Sequence, residues 1–250
     1  MNHGLNVSLR QATMRGGQQT ITAAAGAGES VLYFACKRCM DVTLAAAMLI
    51  VLFPLLLLIA VLIKLDAPGP VIFAQERVGA RRRSNDGRTT WENRPFRVYK
   101  FRTMVHNADP SIHEAYTKAF VRGLVGAPDG PGAKFKLTND PRVTRVGRIL
   151  RSTSLDELPQ LVNVLKGEMS LVGPRPVPTY EVAEYQPWHR ERLAALPGIT
   201  GVWQVSARCQ VSFEGMIRMD IAYVRSRSLW LDLRILLLTV PAVLSGRGAE

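Results

Sequence analysis

The sequence predicts a mainly α-helical fold with a small β-hairpin, a monotopic membrane protein carrying an N-terminal proline-broken re-entrant helix and interfacial amphipathic helices. Three observations carry that expectation. An uncharged apolar run over residues 42–63 has the length of about one bilayer of helix at ~1.5 Å per residue, and Phe53-Pro54 interrupts it near its middle. Short alternating segments at 71–74 and 96–101 flank a polar stretch, as the strands of a hairpin would. Helical patterns then recur at 110–120, 155–165, 180–196, 213–224 and 229–244.

Taken in order, residues 1–30 are polar and rich in Gly, Ala and Thr, which reads as a flexible leader. A cleaved signal peptide is not expected, because the apolar run begins too deep in the chain. Residues 31–66 form the membrane-associated helix. Proline removes a donor and clashes with the preceding turn, so a bend is expected at Pro54. Lys37 and Arg38 precede the run, and Lys64, Arg77, Arg81, Arg82 and Arg83 follow it. Positive charge on both flanks fits a helix that returns to its own face, with a kinked spanning helix as the competing reading.

Residues 67–245 make one cytoplasmic-face catalytic domain, and 246–250 a tail. Its hairpin, with a polar Arg/Gly loop over 79–90, is too small to stand alone and must pack on helices. Residues 123–132 read as a Gly/Pro-rich loop. The last helix is apolar but interrupted by Asp232 and Arg234, so it is expected to be buried or to lie at an interface.

Lys plus Arg outnumber Asp plus Glu by 32 to 20, which favours phosphate-rich partners, anionic lipid surfaces or both. Cys36, Cys39 and Cys209 are too few for a disulfide framework. The Cys36–Cys39 spacing lacks the βαβ context of a redox motif, and the histidines show no metal-ligand spacing with the cysteines.

The densest chemical signal lies between Arg142 and Gln160. Arg142, Arg145, Arg148 and Arg151 recur every three residues and would spiral around a helix, offering several phosphate-facing forks or a solvated basic face. Ser154 and Glu157 have capping-box spacing, which accounts for Glu157 and leaves Asp156 unassigned. Adjacent carboxylates after an arginine cluster offer an oxygen nucleophile and a ligand for a hard divalent cation. Phosphoryl transfer also needs the charge of a diphosphate screened, and Lys100, Arg102, Arg175 and Arg208 are candidates for that.

Five blocks, 69–79 (GPVIFAQERVG), 99–104 (YKFRTM), 153–160 (TSLDELPQ), 167–176 (GEMSLVGPRP) and 197–201 (PGITG), closely resemble the bacterial sugar transferase family, the monotopic polyprenyl-phosphate phosphoglycosyl transferases. The resemblance covers roughly residues 34–244. It implies that Asp156 is the nucleophile and Glu157 the Mg2+-binding carboxylate. It also implies that Lys100, Arg151, Arg175, Arg208 and Asp232 serve phosphate, nucleotide or active-site organisation, and that Pro54 is the helix-breaking proline. The implied activity moves a sugar-1-phosphate from a UDP-sugar to undecaprenyl phosphate, with UMP released through a covalent aspartyl phosphosugar, initiating a glycan such as exopolysaccharide or O-antigen.

The implied place is the cytoplasmic face of the bacterial inner membrane. Anionic inner-membrane lipids are the expected surroundings, self-association is left open, and no nucleic-acid partner is expected. Phe53 stands where many relatives carry a small hydroxyl residue, and Ala207 where they carry glycine. Two other classes compete: a nucleic-acid-binding membrane regulator, motivated by the arginine runs, and a non-catalytic polysaccharide-assembly scaffold. Salt-resistant nucleic-acid binding, or partner binding without nucleotide-sugar turnover, would distinguish them.

Overall fold

The computed structural model describes residues 14–15, 18–21, 31–85, 88–124, 140–206 and 211–244. The tail at 246–250 and most of the loop expected at 123–132 lie outside them, as does Arg208.

Helix α1 (Val31–Val51) starts well before the apolar run, because Tyr33, Lys37, Asp41 and Ala45 recur every fourth residue and form a buried stripe. Helix α2 (Phe53–Asp66) follows at a bend of 62°. Pro54 sits in its first turn, where a missing N–H leaves no intrahelical bond unmade. Among the described residues no single helix is long and apolar enough to cross a membrane; α1 and α2 reach that hydropathy and length only as a bent pair.

The hairpin is far longer than expected. Strands β3 (Ile72–Asn85) and β4 (Arg88–Phe101) pair antiparallel from Ile72↔Phe101 out to Asn85↔Arg88. The polar loop expected over 79–90 is therefore mostly strand. Its arginines carry no apolar alternation, but they are held by the ladder and by aromatic faces: the Arg82 guanidinium stands 4.1 Å from the Phe34 ring centroid. Two strands in the stretch expected as leader, β1 (Met14–Arg15) and β2 (Gln18–Ile21), extend the sheet in the order β1-β2-β4-β3.

Helix α3 (Ser111–Val121) occupies the expected place, and α4 (Arg145–Thr153) carries three of the four spaced arginines. The single helix expected over 155–165 is instead a 3-10 turn, Leu155–Glu157, followed by α5 (Gln160–Lys166) after Pro159. The helix expected over 180–196 is also broken, into α6 (Thr179–Ala183) and a 3-10 stretch, Pro187–Leu193, because Pro187 cannot donate within a continuing helix. Strand β5 (Ser170–Val172) precedes α6 and β6 (Gly198–Thr200) follows the 3-10 stretch; the two form a parallel pair, and α7 (Val202–Ser206) comes next. Helices α8 (Phe213–Ser226) and α9 (Leu229–Leu244) match the expected positions. The main apolar core joins α1, α5, β5 and α9 with Trp91 and Val98 of the ribbon.

Candidate active site

The carboxylate pair stands on a turn set by its neighbours. After α4, Ser154 adopts left-handed backbone, φ 59°, and its N–H bonds the Arg151 carbonyl. Such a conformation is uncommon outside glycine, and here it turns the chain into the single 3-10 turn. Leu155 and Leu158 pack into apolar clusters, so Asp156 and Glu157 between them face β4. The expected capping box is not formed. Ser154 makes no side-chain cap bond, because an N-cap needs extended backbone and this residue is left-handed. The Glu157 carboxylate instead accepts from Lys100 Nζ at 2.7 Å, with Arg175 Nη1 at 3.5 Å. Asp156 Oδ2 stands 3.9 Å from the same Lys100 nitrogen.

Each cation arrives on a fixed element. Lys100 is the second-last residue of β4, opposite Phe73. Arg175 follows β5, where Gly173 and Gly198 abut so closely that a Cβ on Gly198 would strike the Gly173 backbone. Arg151 lies in the last turn of α4, which approaches the Lys100–Thr103 segment through Gly147; a Cβ there would collide with the Thr103 carbonyl. Burial lowers the pKa of Arg151, and Asp156 is the foremost charge acting against that shift. The turn thus brings Asp156, Glu157, Lys100, Arg151 and Arg175 together.

Arg77 joins them although sequence reasoning did not single it out. It lines a small cavity with Lys100, Glu157, Gln160, Arg175 and Gln204. Its pKa is pushed down to about 10, first by burial and then by the neighbouring Arg175. The signal was present in the 69–79 block, where Arg77 passes for a charge flanking the membrane run.

Two expected residues lie elsewhere. Arg102 is buried, and its guanidinium donates to the carbonyls of Ala67 at 2.7 Å, Ile63 at 3.4 Å and Pro68, so it closes the end of α2 and does not face the carboxylates. Asp232 is buried in α9, where it accepts from Lys37 Nζ at 2.9 Å, Tyr33 Oη at 3.2 Å and Tyr223 Oη at 2.7 Å. Tyr223 also bonds the Val172 carbonyl, which ties that network to the strand leading into Arg175. Pro54 stands at the helix bend, and Arg208 falls outside the described residues.

A roomier cleft of about 530 Å³, lined by Phe34, Arg38, Trp91, Arg94 and Lys166 among others, contains neither carboxylate of the pair. Size therefore does not locate the chemistry. Among the described residues no group of three His, Cys, Asp or Glu side chains could hold a metal ion unaided. The adjacent Asp156 and Glu157 nevertheless fit Mg2+, which takes one or two carboxylates and completes its octahedron with substrate phosphates and water.

The family model described as bacterial sugar transferase matches residues 32–246. The chain is 41% identical over 213 residues to the exopolysaccharide production protein ExoY of Sinorhizobium fredii, covering 85% of this chain and 87% of that protein. It is 41% identical over 221 residues to the UDP-glucose:undecaprenyl-phosphate glucose-1-phosphate transferase of Caulobacter vibrioides, covering 85% of this chain and 71% of that one. Identity is 40% over 213 residues to the undecaprenyl-phosphate galactose phosphotransferase of Salmonella typhimurium, covering 85% of this chain but only 41% of the relative. The matched span takes in the acid pair and every cation set around it, and on that match the chain belongs to the bacterial sugar transferase family.

Proposed function

We propose that this protein is an undecaprenyl-phosphate sugar phosphotransferase, which moves a sugar-1-phosphate from a UDP-sugar to polyprenyl (undecaprenyl) phosphate and releases UMP. The names of the Salmonella and Caulobacter relatives support the acceptor and the class of donor. The observation that carries the reading is the Asp156–Glu157 pair set against Lys100, Arg151 and Arg175. A carboxylate oxygen beside several cations is what attack on an anionic phosphorus requires.

In the first step an Asp156 carboxylate oxygen bonds to the sugar-proximal phosphorus. The bond from that phosphorus to the bridging oxygen breaks, and UMP departs with the electron pair. In the second step a phosphate oxygen of the lipid bonds to the same phosphorus, and the Asp156 ester oxygen leaves as the regenerated carboxylate. Both nucleophiles are anionic at the outset, so neither step needs a general base. The task left to the protein is positioning and charge screening. Lys100 orients Glu157 and offsets the charge of Asp156 as it approaches the donor. Glu157, with donor phosphate oxygens, would hold Mg2+, which when bound neutralises part of the diphosphate charge.

The reading places the enzyme on the cytoplasmic face of the bacterial inner membrane. Exposed apolar residues on α1 and α2 (Ile50, Val51, Phe53, Leu57, Leu65) and on α9 (Trp230, Leu237) support contact with lipid hydrocarbon, and the excess of Lys and Arg favours anionic inner-membrane lipids. Attachment there would hold the site at the depth of the acceptor's phosphate. The product would initiate a lipid-linked glycan such as exopolysaccharide or O-antigen.

Purified protein with Mg2+, a panel of UDP-sugars and polyprenyl phosphate should release UMP. Asp156→Asn should lower turnover by about 10³-fold or more and abolish sugar-phosphate label on the protein. Turnover retained in that variant would remove Asp156 from its role.

A further inference from the structure

Arg77 has no part in the chemistry described above, and its surroundings are unusual for a cation. Its Nη2 donates to Gln75 Oε1 at 2.6 Å and its Nη1 reaches the Pro176 carbonyl at 3.4 Å, so both partners are neutral. Nε is shut off from solvent and has no hydrogen-bond partner, although the residue as a whole keeps some exposure. The charged residues lining its cavity are three cations, Arg77, Lys100 and Arg175, against one carboxylate, Glu157. That carboxylate is already engaged by Lys100 at 2.7 Å and Arg175 at 3.5 Å.

A guanidinium held at depth with only neutral acceptors is costly, and structures keep such a group where a ligand supplies the missing anion. Its fork matches phosphate oxygens, to which it can present two parallel N–H groups. Asp156 stands 3.9 Å from Lys100, which lines that cavity, and the sugar-proximal phosphorus must reach Asp156. The second phosphate of the donor lies one bridging oxygen away and would meet the other lining cations, Arg175 and Arg77. We propose that Arg77, with Arg175, forms the subsite for the departing phosphate, the one that leaves as nucleoside monophosphate. This rests on the transfer reaction proposed above and adds to it a residue for the leaving group.

A residue kept for a ligand and a residue kept for packing respond oppositely to removal. Replacing an unpaired cation with an apolar chain of similar length should leave the ligand-free fold as stable as before or more so. Gln75 is half-exposed, so water can satisfy the amide that Arg77 leaves behind. The test uses the purified full-length chain with Mg2+, and thermal unfolding is followed with and without UMP. UMP should raise the melting temperature of the wild type. In Arg77→Met the ligand-free melting temperature should be unchanged or higher and the UMP-induced rise lost, with inhibition of turnover by UMP weakened about tenfold or more. Arg77→Lys should keep part of the rise.

If the wild type and Arg77→Met respond equally to UMP, the subsite assignment fails while the transfer reaction stands. A lower ligand-free melting temperature in Arg77→Met, with the UMP response lost equally in Arg77→Lys, would make Arg77 a packing residue and overturn the assignment. A wild type that responds neither to UMP nor to any UDP-sugar would overturn the assignment and the transfer reaction together.

Discussion

His113 shows how far the positive field of the site extends beyond the residues that line it. Its Nδ1 stands 3.1 Å from Thr117 Oγ1 and 3.2 Å from Tyr180 Oη. Burial, followed by the charges of Arg77 and Arg175, pushes its pKa down to about 4 from the ordinary 6.5, so the folded protein holds a neutral ring. Below the ordinary value the unfolded chain takes up a proton that the folded chain refuses. Stability from this group is therefore full above pH ~6.5 and is lost as pH falls toward 4. His113→Gln should remove a loss on the order of 2 kcal/mol between pH 7 and pH 4, after allowance for the partial exposure of the ring. Asp220, whose pKa burial raises to about 6, acts in the opposite direction over part of the same window. The measurement is thus the difference between wild-type and variant denaturation curves across pH. A flat difference would mean that neither burial nor the cations shift His113.

Arg102 acts at the level of the helix. Just beyond α2 the carbonyls of Ala67 and Pro68 accept from the buried Arg102 guanidinium, which reaches back from the residue after β4 and also meets the Ile63 carbonyl that the Ala67 N–H already bonds. Arg102→Met should destabilise the fold by about 1–3 kcal/mol in chemical denaturation, because the Ala67 and Pro68 carbonyls lose their donor and the Ile63 carbonyl loses one of its two. The KM for UDP-sugar should stay near the wild-type value, whereas a phosphate-binding role would raise KM with stability kept. Arg102 also marks where sequence reading ran out. Sequence pattern alone pointed to α3, α8 and α9, whose apolar positions repeat with the helical period. The break in the 180–196 segment follows from Pro187, which the apolar pattern overrode. The 3-10 turn under Asp156 depends on a left-handed serine, and nothing about a serine announces that backbone. Strands β5 and β6 have three residues each, too few to show alternation, yet they carry Arg175 to the site. Asp156 and Glu157 were legible because neighbouring carboxylates after an arginine cluster have few structural uses. Lysines and arginines have many, so separating Arg77 from Arg102 required coordinates.

The whole molecule decides how the bent pair can meet a bilayer, because both of its arms are fastened to the same domain. On the α1 arm, Lys37 pairs with Asp232 at 2.9 Å, Arg38 donates to the Val164 and Leu165 carbonyls at 2.6 and 2.8 Å, and Asp41 accepts the Leu171 N–H at 3.1 Å. On the α2 arm, Ile59 and Ile63 are buried with Phe101 and Leu150, and Asp66 accepts the Val146 N–H at 2.9 Å. Ala45 and Ile59 are the last fully buried residues before the bend, so the apex beyond them extends about 10 Å of helix on either side of Leu52, with Leu49, Leu55 and Leu56 still packed at its base. That is roughly one leaflet and well short of a hydrocarbon core of about 30 Å. Packing, more than Pro54, would then set the topology in a bilayer, since straightening the pair would pull one arm off the domain. The expectation can be checked in sealed membrane vesicles of known orientation, on a background with Cys36, Cys39 and Cys209 replaced by serine. Single cysteines at Leu32→Cys and Glu76→Cys should both react with a membrane-impermeant thiol reagent from the cytoplasmic side. Adding Pro54→Leu should leave both on that side, because the anchors of the two arms are untouched. Labelling from opposite sides in the Pro54→Leu background alone would mean that the proline holds the bend, and labelling from opposite sides in both backgrounds would mean that the helix crosses.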